Sequence, residues 1–144
     1  MNKIAMFRIG EHDLPFPGRA HAGDAGIDLC SAVLGFNLHP GGEALLNTGF
    51  GVEIPRGHFG LATLRSSMGK LGLVLLNTIG IIDSQYRGEI LLMLKNSSED
   101  SLEIRHGQRI AQLLILPCFI GDVVEIKRPS ETARGAGGFG SSGR

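Results

Sequence analysis

The sequence predicts an all-β protein, and three observations predict it. Apolar residues alternate with a period of two over short stretches. Glycine or proline punctuates the chain roughly every eight to twelve residues, and glycine alone accounts for 22 of 144 residues. No stretch longer than about ten residues keeps the 3.6-residue period of an amphipathic helix.

The elements follow in order. "MNKIAMFRIG" brackets a short apolar run with charges and reads as a first strand. "HAGDAGIDLCSA", residues 21–32, leads from a glycine-rich turn into a strand on which Asp28 faces away from Ile27 and Leu29. "FGVEI" alternates Phe50, Val52 and Ile54 with Gly51 and Glu53. "SSMGKLG", residues 66–72, is the best candidate for a helical turn, and its glycines limit the length. "IGII" reads as a strand, "DSQYRG" as a hairpin tip, and "EILLMLK" as the returning strand. That strand and "RIAQLLIL" carry apolar residues on both faces, which predicts that one face meets another subunit. Residues 1–128 form the body. Residues 129–144 lack periodicity and apolar bulk, which predicts a mobile, glycine-rich arm.

Composition excludes some functions. Fourteen basic and fourteen acidic side chains balance to zero formal charge, which argues against broad nucleic-acid or membrane-surface binding. A small anion held by a few arginines remains open. No apolar run reaches the ~18 residues of a membrane span. Cys30 and Cys118 match no metal or redox spacing, and two buried thiols in a cytoplasmic protein are the simpler account. The five histidines form no H-x-H or HExxH pair.

Four stretches offer chemistry, each beside a plainer explanation. Asp28 has the position of a ligand or metal-water contact, but taken alone a turn carboxylate bonded to backbone is the preferred account. Arg65 precedes Ser66 and Ser67 at a helical start, where unpaired N–H groups attract phosphate. A serine N-cap explains the hydroxyls but not the arginine. Asp83 follows an apolar strand, so partial burial and restricted water access are expected, which suits a general base. An ordinary turn with packing by Tyr86, the only tyrosine, is the alternative. Gln112 interrupts an apolar strand and needs hydrogen-bond partners, from the sheet or from a ligand; Arg109 beside it reads as structural.

Together "AGIDL", "RSS", "GIIDSQYRGEI", "GQRIAQ" and "RGAGGFGSSG", in this order, resemble the five motifs of the homotrimeric dUTP pyrophosphatases (dUTPases), from about Ala22 to Gly143. The resemblance implies a compact jelly-roll-like β fold and a homotrimer whose active sites are shared between chains. It implies hydrolysis of dUTP to dUMP and pyrophosphate with Mg²⁺, which keeps uracil out of DNA and supplies dUMP for dTMP synthesis. By the same resemblance, Asp83 bonds the 3′-hydroxyl and orients the attacking water, and Tyr86 packs on deoxyribose and excludes a 2′-hydroxyl. Asn77 and the backbone of Gly80, Ile81 and Ile82 match the uracil-reading hairpin, with Leu91 on its returning strand. Arg65, Ser66, Ser67 and Gln112 match phosphate contacts, with Arg65, Asp83 and Gln112 as the catalytic set. Asp28 matches a carboxylate that reaches a metal-bound water, the Mg²⁺ itself being held mainly by substrate phosphates. Arg134, Phe139, Ser141 and Ser142 match an arm that closes over the nucleotide.

Chemistry supports these roles. Uracil offers acceptor, donor, acceptor along its Watson–Crick edge, and a strand backbone can offer the complement. Cytosine would leave buried groups unpaired, a mismatch that rejects by up to ~10⁴. The stretch "RSSMGKLGL" departs from the common form of the second motif and is closer to the related dCTP deaminases. Against deamination, Met93 stands where their catalytic glutamate would fall, Gln85 and Tyr86 stand where they carry Gly-Phe, and they lack the arm. A trimeric β protein acting only by binding is the third reading. The joint presence of Asp83, Tyr86, Gln112 and the arm disfavours it.

Overall fold

A computed structural model describes residues 3–138. Among them, strands dominate and one short helix is present. In chain order the elements are β1 (Ala5–Arg8), β2 (Ile27–Cys30), β3 (Phe36–Leu38), β4 (Glu43–Asn47), β5 (Phe50–Glu53), β6 (His58–Leu64), α1 (Ser66–Lys70), β7 (Leu73–Leu75), β8 (Gly80–Ile82), β9 (Leu91–Asn96), β10 (Leu102–Ile104) and β11 (Arg109–Pro117). The all-β expectation holds. No helix of the described residues is long and apolar enough to cross a membrane.

All pairings are antiparallel. Four strands form one sheet in the order β2-β11-β6-β8, three form a second in the order β4-β9-β7, and β1-β5 and β10-β3 are two-stranded pairs. The alternation read from sequence explains why these segments are strands: one set of side chains goes inward. Ile27 and Leu29 of β2, Ala62 of β6, Leu113 of β11, Leu46 of β4, Leu73 of β7, and Leu92 and Leu94 of β9 meet in a single apolar cluster. Burying one such leucine contributes roughly 1.5–3 kcal/mol. Two of the three buried polar side chains are matched, while the Ser31 hydroxyl has no partner among the described residues. Asn96 donates to the Leu38 and Asp100 carbonyls and accepts from Ser98, while the Thr48 hydroxyl donates to the Ile90 carbonyl.

The second sheet has an apolar outer face. Leu91 and Met93 of β9, Leu45 of β4 and Val74 of β7 are all exposed in the single chain. Leu91 and Met93 are the outward residues of the strand predicted to be apolar on both faces.

Two expectations change. The segment "DSQYRG" is not a hairpin tip, because β8 pairs with β6 while β9 pairs with β4 and β7. It carries the chain from one sheet to the other. The predicted uracil-reading hairpin, from Gly80–Ile82 to a returning strand at Leu91, is therefore a crossing between sheets rather than a ladder, and Asn77 lies in a second such crossing, from β7 to β8. A two-residue period reports a strand but not its partner.

The last strand ends at Pro117, and residues 119–136 are exposed throughout. Within them Phe119, Ile120, Val123, Val124 and Ile126 present apolar side chains to solvent, in a stretch expected to close the body. Cys30 and Cys118 are free thiols, each half-buried rather than fully buried.

Candidate active site

The turn after β7 shapes the first cleft. Thr78 donates its N–H to the Leu75 carbonyl at 2.9 Å and adopts φ 64, the only left-handed non-glycine among the described residues. A β-branched residue there costs about 1–3 kcal/mol. The strained turn leads from Asn77 into β8. That strand pairs on one side only, with β6, through Ala62↔Gly80, Leu61↔Ile81 and Gly60↔Ile82. As an edge strand it has peptide groups without a ladder partner, free to face a ligand.

Beyond β8 the chain turns at Asp83. The Tyr86 N–H donates to the Asp83 carbonyl at 3.0 Å, and the Tyr86 hydroxyl donates to the Glu89 carbonyl at 2.9 Å. Asn77, Gly80, Ile81, Ile82, Asp83, Tyr86 and Leu91 all line one cleft of about 200 Å³. Seven predicted residues therefore converge, although the strands that carry them are not a hairpin. Asp83 itself is exposed, against the expected partial burial. It lies past the end of an edge strand, and nothing among the described residues covers it.

The second cleft is built from side chains on three strands. Asp28 on β2 lies opposite Gln112 on β11, which lies opposite Thr63 on β6. Arg65 follows β6. Its Nε is 3.1 Å from Asp28 Oδ1, and the Arg109 guanidinium donates to Asp28 Oδ2 at 3.0 Å. Each carboxylate oxygen thus takes one guanidinium, on a side chain only 15% exposed. Arg65 and Arg109 offset the charges of Asp28 and of Asp24, which also lines the cleft. Charge-assisted pairs of this kind are the strong hydrogen bonds of proteins. Asp28, Arg65, Ser66 and Gln112 line this cleft, about 260 Å³ in volume. Gly26 lets the backbone lie against Gln112, since a Cβ there would come within 2.9 Å of the glutamine Cβ. Among the described residues no hydrogen bond engages the Gln112 amide, so it is free for a ligand.

Arg65 is also the N-cap of α1, in extended conformation (φ −69, ψ 145), with no side-chain cap. Neither serine is the cap: Ser66 and Ser67 occupy the first helical turn and are exposed. The Met68 and Gly69 N–H groups bond to the Arg65 carbonyl, and the earlier N–H groups have no helical acceptor. Cys30, beside this cleft, has its thiol pushed up by burial and then by the Asp28 charge, which disfavours the thiolate.

The two clefts share no lining residue. A third opening of about 510 Å³ runs from Arg65 and Ser66 to Thr78 over Leu73, Val74 and Leu75, and neither Asp83 nor Tyr86 reaches it. A larger cleft, about 680 Å³, lies beside β1 and holds none of the predicted residues. Ser67 lines none of these. Arg134 is exposed, its Nε donating to the Gly137 carbonyl at 2.9 Å, away from both clefts. Phe139, Ser141 and Ser142 lie outside the described residues. Among the described residues no three His, Cys, Asp or Glu side chains converge as a metal cage.

Sequence reasoning missed Arg109, which was read as structural yet shares Asp28 with Arg65. The register between β2 and β11 would have found it. It also missed Glu89, which lines the first cleft.

Comparison with known proteins follows the same residues. Residues 12–143 match the dUTPase family model. The chain is 47% identical over 132 residues to a deoxyuridine 5′-triphosphate nucleotidohydrolase of Nocardia farcinica, covering 90% of this chain and 79% of that one. Its fold matches a mutant dUTPase of Staphylococcus bacteriophage 80alpha with dUpNHpp at TM-score 0.89, with 29% identity over the whole of both chains. It also matches, at TM-score 0.81 and 25% identity, a mutant dUTPase of phage phi11 of S. aureus described for its coordination of a structural Mg(II) ion; that match covers 90% of this chain and 100% of the phage chain.

Proposed function

The chain belongs to the dUTPase family, and from that premise we propose how its two clefts divide the reaction. The protein is a dUTP diphosphatase: it hydrolyses dUTP to dUMP and pyrophosphate, keeping uracil out of DNA and supplying dUMP for dTMP synthesis. The first cleft takes the nucleoside. Its volume, below the ~300 Å³ at which pockets for drug-sized ligands begin, suits a base and sugar without the triphosphate. The free edge of β8 at Gly80, Ile81 and Ile82 pairs with the uracil edge, with Asn77 and Leu91 flanking it. Tyr86 packs on deoxyribose, and Asp83 bonds the 3′-hydroxyl and orients the attacking water. An exposed Asp83 is accessible to that water.

The second cleft takes the phosphates. Arg65, Ser66 and Gln112 bind them, with Ser67 beside them on α1, and Arg65 offsets charge that builds on the oxygens during in-line attack at the α-phosphorus. Asp28 has both oxygens engaged by guanidinium groups, yet a carboxylate has about four acceptor sites. It therefore retains capacity to accept from a metal-bound water. These residues fit Mg²⁺ held by substrate phosphates and waters rather than by a protein cage. When bound, Mg²⁺ would supply charge neutralisation on the phosphates.

The observation that carries this reading is the convergence of seven residues from β8, its flanking turns and β9 on one nucleoside-sized cleft. Two clefts without a shared residue support completion of each site by other chains. So do the exposed apolar face of the second sheet and the exposed apolar residues 119–126, an area that solvated monomers rarely leave open. We assign a homotrimer with shared sites, acting in the cytoplasm. Its body is residues 1–128. Residues 129–144 form an arm that carries Arg134, Phe139, Ser141 and Ser142 over the nucleotide of another chain and excludes water.

Incubation with Mg²⁺ and dUTP, dCTP, dTTP or UTP tests the substrate assignment. Pyrophosphate is expected from dUTP alone. Ammonia from dCTP would overturn the assignment in favour of a deaminase, and no product from any nucleotide would favour a binding protein.

A further inference from the structure

We infer that Glu89 is a positioning residue for sugar selectivity: with Gly88, it holds the Tyr86 ring where that ring can exclude a 2′-hydroxyl. The inference rests on the reading of Tyr86 as the deoxyribose-packing ring. Excluding one oxygen atom demands a ring fixed to well within an ångström. Yet Tyr86 is 42% exposed and belongs to the irregular connection between β8 and β9, where no ladder holds the backbone.

Three restraints fix it instead. The Tyr86 N–H is tied to the Asp83 carbonyl, and its hydroxyl donates to the Glu89 carbonyl at 2.9 Å. Behind the ring lies Gly88, where an added Cβ would overlap the hydroxyl end of the tyrosine. Gly88 has no left-handed φ, so the close approach of the ring, not backbone strain, is what favours glycine there.

The hydroxyl acceptor is only as fixed as residue 89, and the Glu89 side chain is what fixes it. Its Oε1 accepts the Gly49 N–H at 2.6 Å, and its Oε2 accepts from Asn47 Nδ2 at 2.8 Å. Two donors converge on one carboxylate, so an acceptor-only group suits both. The turn that supplies those donors is itself held. Gly49 has φ 74, and its carbonyl meets His12 Nε2 at 2.8 Å and accepts the Ile9 N–H at 2.9 Å. A path of direct bonds thus runs from the loop after β1, through the β4–β5 turn and Glu89, to the tyrosine ring.

The test compares kcat/KM for dUTP with kcat/KM for UTP, alongside thermal melting. Glu89→Ala should lower the dUTP/UTP ratio by about tenfold or more, the scale on which pocket shape discriminates. Gly88→Ala should lower it too, by pushing the ring aside. Glu89→Gln should keep most of it, because the Gln carbonyl oxygen can still accept the Gly49 N–H while Asn47 turns its own amide. Tyr86→Ala is the reference. If Tyr86→Ala lowers the ratio while Glu89→Ala and Gly88→Ala leave it unchanged, the inference falls and the reading of Tyr86 stands. If Tyr86→Ala leaves it unchanged, both fall. Should Glu89→Ala fail to fold, Asn47→Ala, which removes one of the two donors to the Glu89 carboxylate, decides: an unchanged ratio would overturn the inference.

Discussion

The two clefts of this molecule are built on opposite plans. The nucleoside cleft comes mostly from one run of chain, residues 77–91, and much of its lining is strand backbone and apolar side chain. The cleft assigned to the phosphates is gathered from the loop before β2, from β2, from Arg65 and Ser66 at the start of α1 and from β11, and its polar lining is side chain: Asp24, Asp28, Arg65, Ser66 and Gln112. A base is told from its rivals by fixed donors and acceptors at short range, which an edge strand supplies without side chains. A triphosphate asks for charge, which strand backbone does not carry and arginine side chains do. Selectivity should therefore reside in the first cleft and charge-dependent affinity in the second.

Substitution can break that division. The largest effect is expected from Asp83→Asn. It should lower turnover by about 10³ while dUTP binding, measured by calorimetry, stays within a few-fold; near-normal turnover would sink the role assigned to Asp83. Deleting residues 134–144 should come next, lowering turnover by about 10² through loss of charge and water exclusion. Light scattering and melting should still report a folded assembly, and loss of folding would count against a separate arm. Smaller again is Asp28→Asn, which loosens both Arg65 and Arg109. At about 1.5–3 kcal/mol for hydrogen bonds to charged groups, kcat/KM for dUTP should fall some ten- to hundredfold, with the preference for dUTP over dCTP unchanged. A shift in that preference would contradict the division between clefts.

The smallest effect is a control remote from both. His106 Nε2 lies 2.9 Å from Asp13 Oδ1, clasping the loop after β1 to the turn before β11. The Asp13 hydrogen bond raises the His106 pKa above its usual 6.5, and the same bond lowers that of Asp13 from 3.8. A raised histidine stabilises the fold below its unfolded pKa and loses that contribution as pH rises through the folded value. A lowered aspartate contributes above its unfolded pKa and loses it as pH falls. The clasp is therefore complete between about pH 4 and 6.5. In an NMR titration, Asp13→Asn should bring the His106 midpoint down, with dUTP hydrolysis unaffected.

The same contrast explains what was legible in the sequence. Strands declared themselves through alternation, and the short helix through "SSMGKLG", because both signals are local. Asn77 to Leu91 read as a unit because those residues are neighbours in the chain. The sheet each strand joins was not legible, so a crossing between sheets was taken for a hairpin. Arg109 was read as structural because its partnership with Asp28 exists only once β2 lies against β11. The exposure of Asp83 escaped because covering groups, where a sequence suggests burial, need not belong to the same chain. Likewise the serines at 66 and 67 looked like caps, but the extended backbone of Arg65 took that place.

Clefts that share no residue also bear on genetics. If each site joins the nucleoside cleft of one chain to the phosphate cleft of another, two dead chains can repair each other. Asp83→Asn spoils only the first kind of cleft, and Arg65→Ala only the second. Unfolded together and reassembled in equal amounts, they would form intact sites wherever an Arg65→Ala chain lends its nucleoside cleft to an Asp83→Asn neighbour, about a quarter of all sites on random mixing. Complementation between inactive alleles would then be a property of this enzyme, and a site completed within one chain would show none.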